Sequence, residues 1–217
     1  MKSVLVIGMG KAGAYLASKL QELGNEVMII DKNEDTVQAL AAEFTDAKIC
    51  DCTNENVVRA LDVGAFDVCF VMIGEDFQAS LVVTALLKKY GAKYVVAKAQ
   101  QDIQITLLKF IGADEIVFPE RDIAERLAVK FNFKNIYDFT PLPDDYAIFE
   151  ISIPEEWDGK TLSELSLRSQ YGVNIIALKS ETGEIRMPSP ADALSAKGHA
   201  IVVGKKKNVY KLTDKKA

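Results

Sequence analysis

A chain of 217 residues allows one large or two modest domains, and either can bury a core. With 49% apolar and 26% charged residues it has the make-up of an ordinary globular protein. A formal charge of −5 gives no basic field for nucleic acid or an anionic membrane surface, and no apolar run reaches the length of a spanning helix. Met1-Lys2 leads straight into a short apolar strand rather than a secretory leader, so the expectation is an intracellular, soluble protein without direct membrane insertion.

The chain opens on its most informative stretch. Val4-Leu5-Val6-Ile7 is a continuous apolar run, as expected of a strand buried on both faces of a parallel sheet. Gly8-Met9-Gly10-Lys11-Ala12-Gly13 follows with the glycine spacing of a dinucleotide-binding turn. Gly8 permits the tight turn, Gly10 lets the backbone approach a pyrophosphate, and Gly13 lets the helix pack closely on the strand. Leu16, Leu20 and Leu23 mark one helix face, and Val27-Met28-Ile29-Ile30-Asp31 is the second strand. Asp31, eighteen residues after Gly13, stands at that strand's tip, where a carboxylate accepts both hydroxyls of an adenosine ribose. Strand, turn, helix and acid in this order form the context that gives the glycine motif its meaning.

The pattern then repeats. Val37, Leu40, Ala41 and Phe44 predict a helix, residues 47–50 a strand, and Asn54 a cap for the helix carrying Val57, Val58 and Leu61. Strands at 66–73, 94–97 and 115–118 alternate with helices at 77–90 and 102–111. The fold class is therefore α/β: a Rossmann-like, doubly wound parallel sheet of order 3-2-1-4-5-6. After Pro119 comes a helix with Ile123, Leu127 and Phe131 on one stripe. That stripe either covers its own sheet or meets a second copy of the chain.

Residues 138–146, with Pro141, Pro143 and Asp144-Asp145, read as a linker. Beyond it lie a strand at 147–153, a short helix at 161–171, a strand at 173–179 with a turn at 181–184, and a last strand at 199–204. This is a small α+β domain, too small to be comfortable alone. The lysine-rich end, including Lys215 and Lys216, reads as a solvated tail. The three cysteines, Cys50, Cys52 and Cys69, read as small buried or half-buried residues, because a closed zinc site needs four ligands and the only histidine, His199, is far away in sequence.

Taken together, these stretches resemble the regulatory subunit of the Trk/Ktr potassium-uptake systems, with the Ktr branch favoured. The motifs that carry the resemblance are the glycine turn, Asp31-Lys32, Cys50-Asp51-Cys52-Thr53, residues 73–80, Val96-Ala97-Lys98-Ala99 and Pro119-Glu120. In the second half they are Gly159-Lys160-Thr161-Leu162, Leu167-Arg168, the 171–176 segment and the final strand. The resemblance implies a nucleotide-binding RCK domain over 1–134, a linker over 135–145 and a C-terminal RCK domain over 146–217. It implies a cytoplasmic subunit that binds ATP or ADP, or alternatively NAD(H), and switches a membrane potassium-translocating partner. The family assembles homodimers into an octameric ring, which would place this chain at the inner face of the cell membrane. Two departures stand out: Lys11 where many members have arginine, which gives a point charge in place of a two-pronged contact, and His199 where an acid is usual.

The implied nucleotide contacts are Gly8, Met9, Gly10, Lys11, Ala12, Gly13, Asp31, Lys32, Asp51, Cys52, Ile73, Gly74 and Lys98. Asp51 has a second reading, as the cap of the next helix. Asp31 disfavours NADP, whose 2′-phosphate would meet a carboxylate, but does not rank NAD, ATP and ADP. Glu120 has two readings: a ligand for Mg²⁺ or Ca²⁺ beside the phosphates, or a charge complementing its own helix N-terminus. In the family the C-terminal dimer binds cyclic di-AMP, and the matching positions are Arg168, Asn174, Ile175 and Pro190. The rival reading is an NAD-dependent oxidoreductase of Rossmann type, since Tyr94 and Lys98 have the Tyr-x-x-x-Lys spacing. That pair works on a helix, where i and i+4 share a face; the β-branched segment here predicts a strand, which would hold the two about 13 Å apart.

Overall fold

The computed structural model describes residues 1–44 and 46–213. They fall into two compact units that divide between Arg121 and Asp122.

The first unit is built on six parallel strands, β1 (Ser3–Ile7), β2 (Glu26–Asp31), β3 (Asp46–Ile49), β4 (Val68–Val71), β5 (Val95–Lys98) and β6 (Glu115–Val117). Their spatial order is β3-β2-β1-β4-β5-β6, as the sequence pattern predicts. The intervening helices are α1 (Lys11–Glu22), α2 (Glu34–Leu40), α3 (Glu55–Ala60), α4 (Phe77–Lys89) and α5 (Asp102–Phe110). β1 lies at the centre, and its apolar run is explained by burial on both sides. Leu5 and Ile7 enter one core with residues of β4, β5, α4 and α5, while Val4 and Val6 enter another with Ala17, Val27 and Ile29. The strand order reverses between β1 and β4, which opens a crevice at the carboxyl ends of the strands.

The turn after β1 is set by two glycines. Gly8 has φ +94°, a left-handed conformation that a side chain resists, and a Cβ there would lie 3.0 Å from the Ile73 nitrogen. Gly13, in the first turn of α1, has no room at all: a Cβ would stand 2.0 Å from the Gly8 carbonyl oxygen.

The second unit holds most of α6 (Pro119–Asn132) and an antiparallel sheet of β7 (Ile136–Pro141), β8 (Tyr146–Ser152), β9 (Val173–Lys179), β10 (Ile185–Arg186) and β11 (His199–Lys205), in the order β10-β9-β11-β8-β7. α7 (Leu162–Leu165), α8 (Leu167–Tyr171) and α9 (Lys206–Thr213) accompany it, over a core that includes Phe139, Phe149, Ile151, Trp157 and Val202.

Three expectations are corrected here. The stretch read as a linker, 135–145, contains β7, which pairs with β8 as a hairpin. Asp144 and Asp145, with φ of 57° and 64°, are the left-handed pair that such a tight turn requires, so the prolines and aspartates signalled a turn rather than a domain boundary. The helix expected over 161–171 is two short helices broken at Ser166, which is left-handed at φ 44°. The lysine-rich end is helical through Thr213, with Val209 and Leu212 buried in the core; Lys215 and Lys216 lie outside the described residues.

α6 buries none of its residues completely. Val129 packs on the second unit's core, and Arg126 makes a two-pronged pair with Asp138 at 2.7 Å on both arms. The apolar stripe stays outside: Ile123, Leu127 and Phe131 are 59%, 47% and 79% exposed.

Because the Gly13 contact is backbone against backbone, Gly13→Ala is expected to destabilise the chain by about 3 kcal/mol, read as a lowered urea midpoint with circular dichroism.

Candidate functional site

The crevice at the carboxyl ends of the strands is a cleft of about 560 Å³ whose lining comes from the first unit alone. One side is the glycine turn. α1 starts at Gly10, which has no side chain to offer as a cap, and its first turn carries no acid. The neighbouring helices differ: Asn33, Asn54 and Asp76 each accept a hydrogen bond from a backbone N–H of α2, α3 or α4. α1 thus presents the positive end of its dipole to the cleft uncompensated, with Lys11 beside it. At Gly10 a Cβ would meet nothing within 4 Å, so the cleft is open at that point.

Asp31, at the end of β2, accepts hydrogen bonds from the Met9 N–H (2.7 Å, Oδ2) and the Asn33 N–H (2.8 Å, Oδ1). These bonds fix the carboxylate at the rim, and each oxygen retains a lone pair for a ribose hydroxyl. Lys32 also lines this end. Asp51 accepts from the Thr53 N–H at 2.9 Å and from its hydroxyl at 2.8 Å, and these bonds hold its carboxyl below the usual carboxylate range. The helix-cap reading of Asp51 is overturned, since Asn54 caps α3.

The opposite wall carries Lys98, at the end of β5. It is only 8% exposed, and its Nζ donates to Glu120 Oε1 at 2.5 Å. Glu120 stands in the first turn of α6 with a side chain 56% exposed, and the Lys98 bond lowers its carboxyl below the ordinary 4.5. Ile73 and Gly74 complete this side; a Cβ on Gly74 would meet Gln100 Nε2 at 2.9 Å. The cleft thus gathers Gly8, Met9, Gly10, Lys11, Ala12, Asp31, Lys32, Asp51, Cys52, Ile73, Gly74, Lys98 and Glu120, while buried Gly13 acts from behind by holding α1 in place.

Tyr94 and Lys98 do not converge. The Tyr94 hydroxyl donates to Glu115 Oε2 at 3.0 Å, and Lys98 is held by Glu120. Among the described residues no group of three or more His, Cys, Asp or Glu side chains is arranged to hold a metal ion.

In the second unit, Arg168, Asn174 and Ile175 line one open depression of about 670 Å³. Pro190 is outside that lining, but its carbonyl accepts from the N–H and hydroxyl of Ser163, which lines it. Glu164, close to Arg168 in sequence, is committed to a capping box with Thr161. Sequence reading missed one cluster. His199 Nδ1 lies 2.6 Å from Glu150 Oε1, which also accepts from Lys179 at 2.8 Å, and the imidazole stacks on Tyr137 at 4.0 Å. Only strand register brings these four together, so no local motif announces them.

The chain matches the TrkA-N domain over residues 4–119 and the TrkA-C domain over 146–217. It is 37% identical to the Ktr system potassium uptake protein C of Bacillus subtilis over 203 residues, covering 94% of this chain and 92% of that relative. It is 36% identical to the Ktr system potassium uptake protein A of Vibrio alginolyticus over the same shares. Among solved structures, the GsuK channel matches at a TM-score of 0.70 and 18% identity, over 97% of this chain and 38% of the channel chain. The GsuK channel bound to NAD matches at 0.69 and 18% identity, again over 97% and 38%. These two show the fold.

The Lys98–Glu120 pair gives the cleft a pH signature. A lowered Glu120 pKa stabilises the fold above about pH 4.5, and that contribution is lost as pH falls through the lowered value. Allowing for the exposure of Glu120, Glu120→Gln is expected to cost about 1 kcal/mol near neutrality, with the two melting curves converging below about pH 4.

Proposed function

The chain belongs to the TrkA-N/TrkA-C family, which includes the Ktr system potassium uptake proteins, and on that premise we propose that it is the nucleotide-responsive regulatory subunit of a potassium transporter. The observation that carries this reading is the uncapped, acid-free start of α1, opening with Lys11 onto a cleft that holds Asp31 at one end and Lys98 at the other. Backbone N–H groups and two lysines suit a polyphosphate, and Asp31 suits the ribose of an adenosine. ATP and ADP are the ligands proposed, with NAD(H) as the alternative. A bound polyphosphate competes with Glu120 for Lys98. Glu120 then either leaves the cleft or takes a Mg²⁺ or Ca²⁺ ion between itself and the phosphates, because a bare carboxylate would repel them.

The binding role is favoured over the dehydrogenase because Tyr94 and Lys98, the pair that reading needs, are each engaged by a different acid. Among the described residues no helix is long and apolar enough to cross a membrane, so action on a pore runs through a membrane subunit. The exposed Ile123/Leu127/Phe131 stripe suits a second copy of the chain, and the family's octameric ring of four dimers at the inner membrane face is the assembly proposed. The depression with Arg168, Asn174 and Ile175 supports a second ligand in the same chain, cyclic di-AMP. Arg168 would face a phosphate, Asn174 an adenine edge and Ile175 a base face. A two-fold dimer presents these groups twice to a two-fold ligand.

Calorimetric titration of the full chain is expected to give binding of ATP and ADP. Asp31→Ala should weaken every adenosine ligand about tenfold, and Lys11→Ala should weaken ATP more than ADP; no heat with any adenine nucleotide would end the proposal. Leu127→Glu is expected to reduce the assembled mass in light scattering while leaving nucleotide binding in place. Cyclic di-AMP should saturate at one per two chains, and Arg168→Ala should weaken it about tenfold or more.

A further inference from the structure

The second unit holds another depression, of about 440 Å³, that shares no lining residue with the one around Arg168 and Asn174. Its size is that of a small-molecule site. The backbone fixes its frame. Trp157 ends a 3-10 turn (Glu155–Trp157), the Lys160 N–H donates to the Trp157 carbonyl at 3.1 Å, and the Lys160 carbonyl accepts from the Leu194 N–H at 2.9 Å. The Trp157 ring lies against Tyr171, with centroids 5.8 Å apart, and Glu164 is held by its capping box. What sets the depression apart is unused hydrogen-bonding capacity. Trp157 is 1% exposed, yet its buried indole N–H has no acceptor, a costly state for a donor removed from water. Lys160 and Gln170 also line the depression, and among the described residues neither side chain makes an ion pair or a hydrogen bond. Against these donors stand two acids, Glu156 and Glu164, and the Thr161 bonds hold Glu164 below its ordinary 4.5, so it stays charged.

We propose that this depression binds a free α-amino acid with an apolar side chain. Two acids beside a single lysine repel a phosphate or a dicarboxylate. A bare cation leaves the indole, ammonium and amide donors unmet. A zwitterion answers both halves of the lining. Its carboxylate accepts from Lys160, the Trp157 indole N–H and the Gln170 amide, its ammonium faces Glu156 and Glu164, and its side chain rests against Leu165 and Tyr171. The ligand thereby supplies the acceptor that the buried indole lacks. This site does not depend on the reading of the cleft in the first unit, nor on the ligand assigned to Arg168.

Trp157 is the chain's single tryptophan, so its fluorescence reports on this depression directly. The test titrates the full chain with L-leucine, following tryptophan emission and, in parallel, heat by calorimetry. A saturable signal is expected at millimolar concentration or below. L-Leucinamide, which lacks the carboxylate, and isocaproate, which lacks the ammonium, should each bind about tenfold more weakly or worse. Lys160→Met, at an exposed side chain, should weaken L-leucine about tenfold, whereas Arg168→Ala should leave it unchanged. Absence of both emission change and heat with millimolar L-leucine would overturn the proposal. So would equal binding of L-leucinamide or isocaproate, undiminished binding by Lys160→Met, or loss of binding in Arg168→Ala, which would move the ligand to the other depression.

Discussion

The backbone of α1 touches the backbone of the turn after β1, and the rest of the first unit is arranged to permit it. A hydrogen atom at position 13 is all that separates the helix from the Gly8 carbonyl, since a Cβ there would sit 2.0 Å away. Gly8 can present that carbonyl only because its φ of +94° turns the chain sharply at the end of the strand. β1 in turn is held from both sides by β2 and β4, with Val4, Leu5, Val6 and Ile7 each no more than 3% exposed. The same contact holds the open N-terminus of α1 at the border of the cleft, where Gly10, Lys11 and Ala12 line it. Packing at Gly13 and electrostatics at Gly10 are therefore one constraint seen from two sides.

The charges around the cleft follow from that placement. Lys11 adds to the positive end of α1, and Lys98 faces it from β5, while Asp31 and Asp51 stand at the strand tips of the other half. This separation suits a ligand with a polyphosphate at one end and a polar sugar at the other. Acids also line the Lys98 side: Glu75 and Asp76, which follow Gly74, and Glu120, and of these Glu120 is held by Lys98. A lysine only 8% exposed needs a counter-charge, and Glu120 supplies it from the first turn of α6. On the proposed reading, nucleotide phosphates would offer Lys98 another partner, and release of Glu120 would carry occupancy of the cleft to α6.

Much of this was legible in the chain because it is written locally. The glycine turn, the flanking apolar strands and Asp31 lie within residues 4–31, and a buried parallel strand leaves a continuous apolar signature. The β7–β8 hairpin was not legible, because Pro141, Pro143 and Asp144-Asp145 serve a tight turn and a linker equally well. α9 was hidden by its lysines: Val209 and Leu212 are buried, but two apolar residues among cations give little periodic signal. The His199, Glu150, Lys179 and Tyr137 cluster draws on four strands, and nothing short of their register reveals it. Lys98 was readable as a cleft residue but not as a buried one, since its pairing with Glu120 spans 22 positions.

The small unit repeats the logic of the large one with weaker local cues. Arg168 and Asn174 meet in one depression because α8 and β9 are joined directly through Gly172, whose φ of 65° reverses the chain between them. The reading of the whole molecule nevertheless depends on the start of α1 being the phosphate site. Amide exchange followed by NMR, with and without ADP, addresses those N–H groups individually. Slower exchange and shifted resonances at Gly10, Lys11, Ala12 and Gly13, with Asp31 and Lys98 perturbed alongside them, is the expected result. ADP binding that leaves these amides unchanged while perturbing others would contradict it.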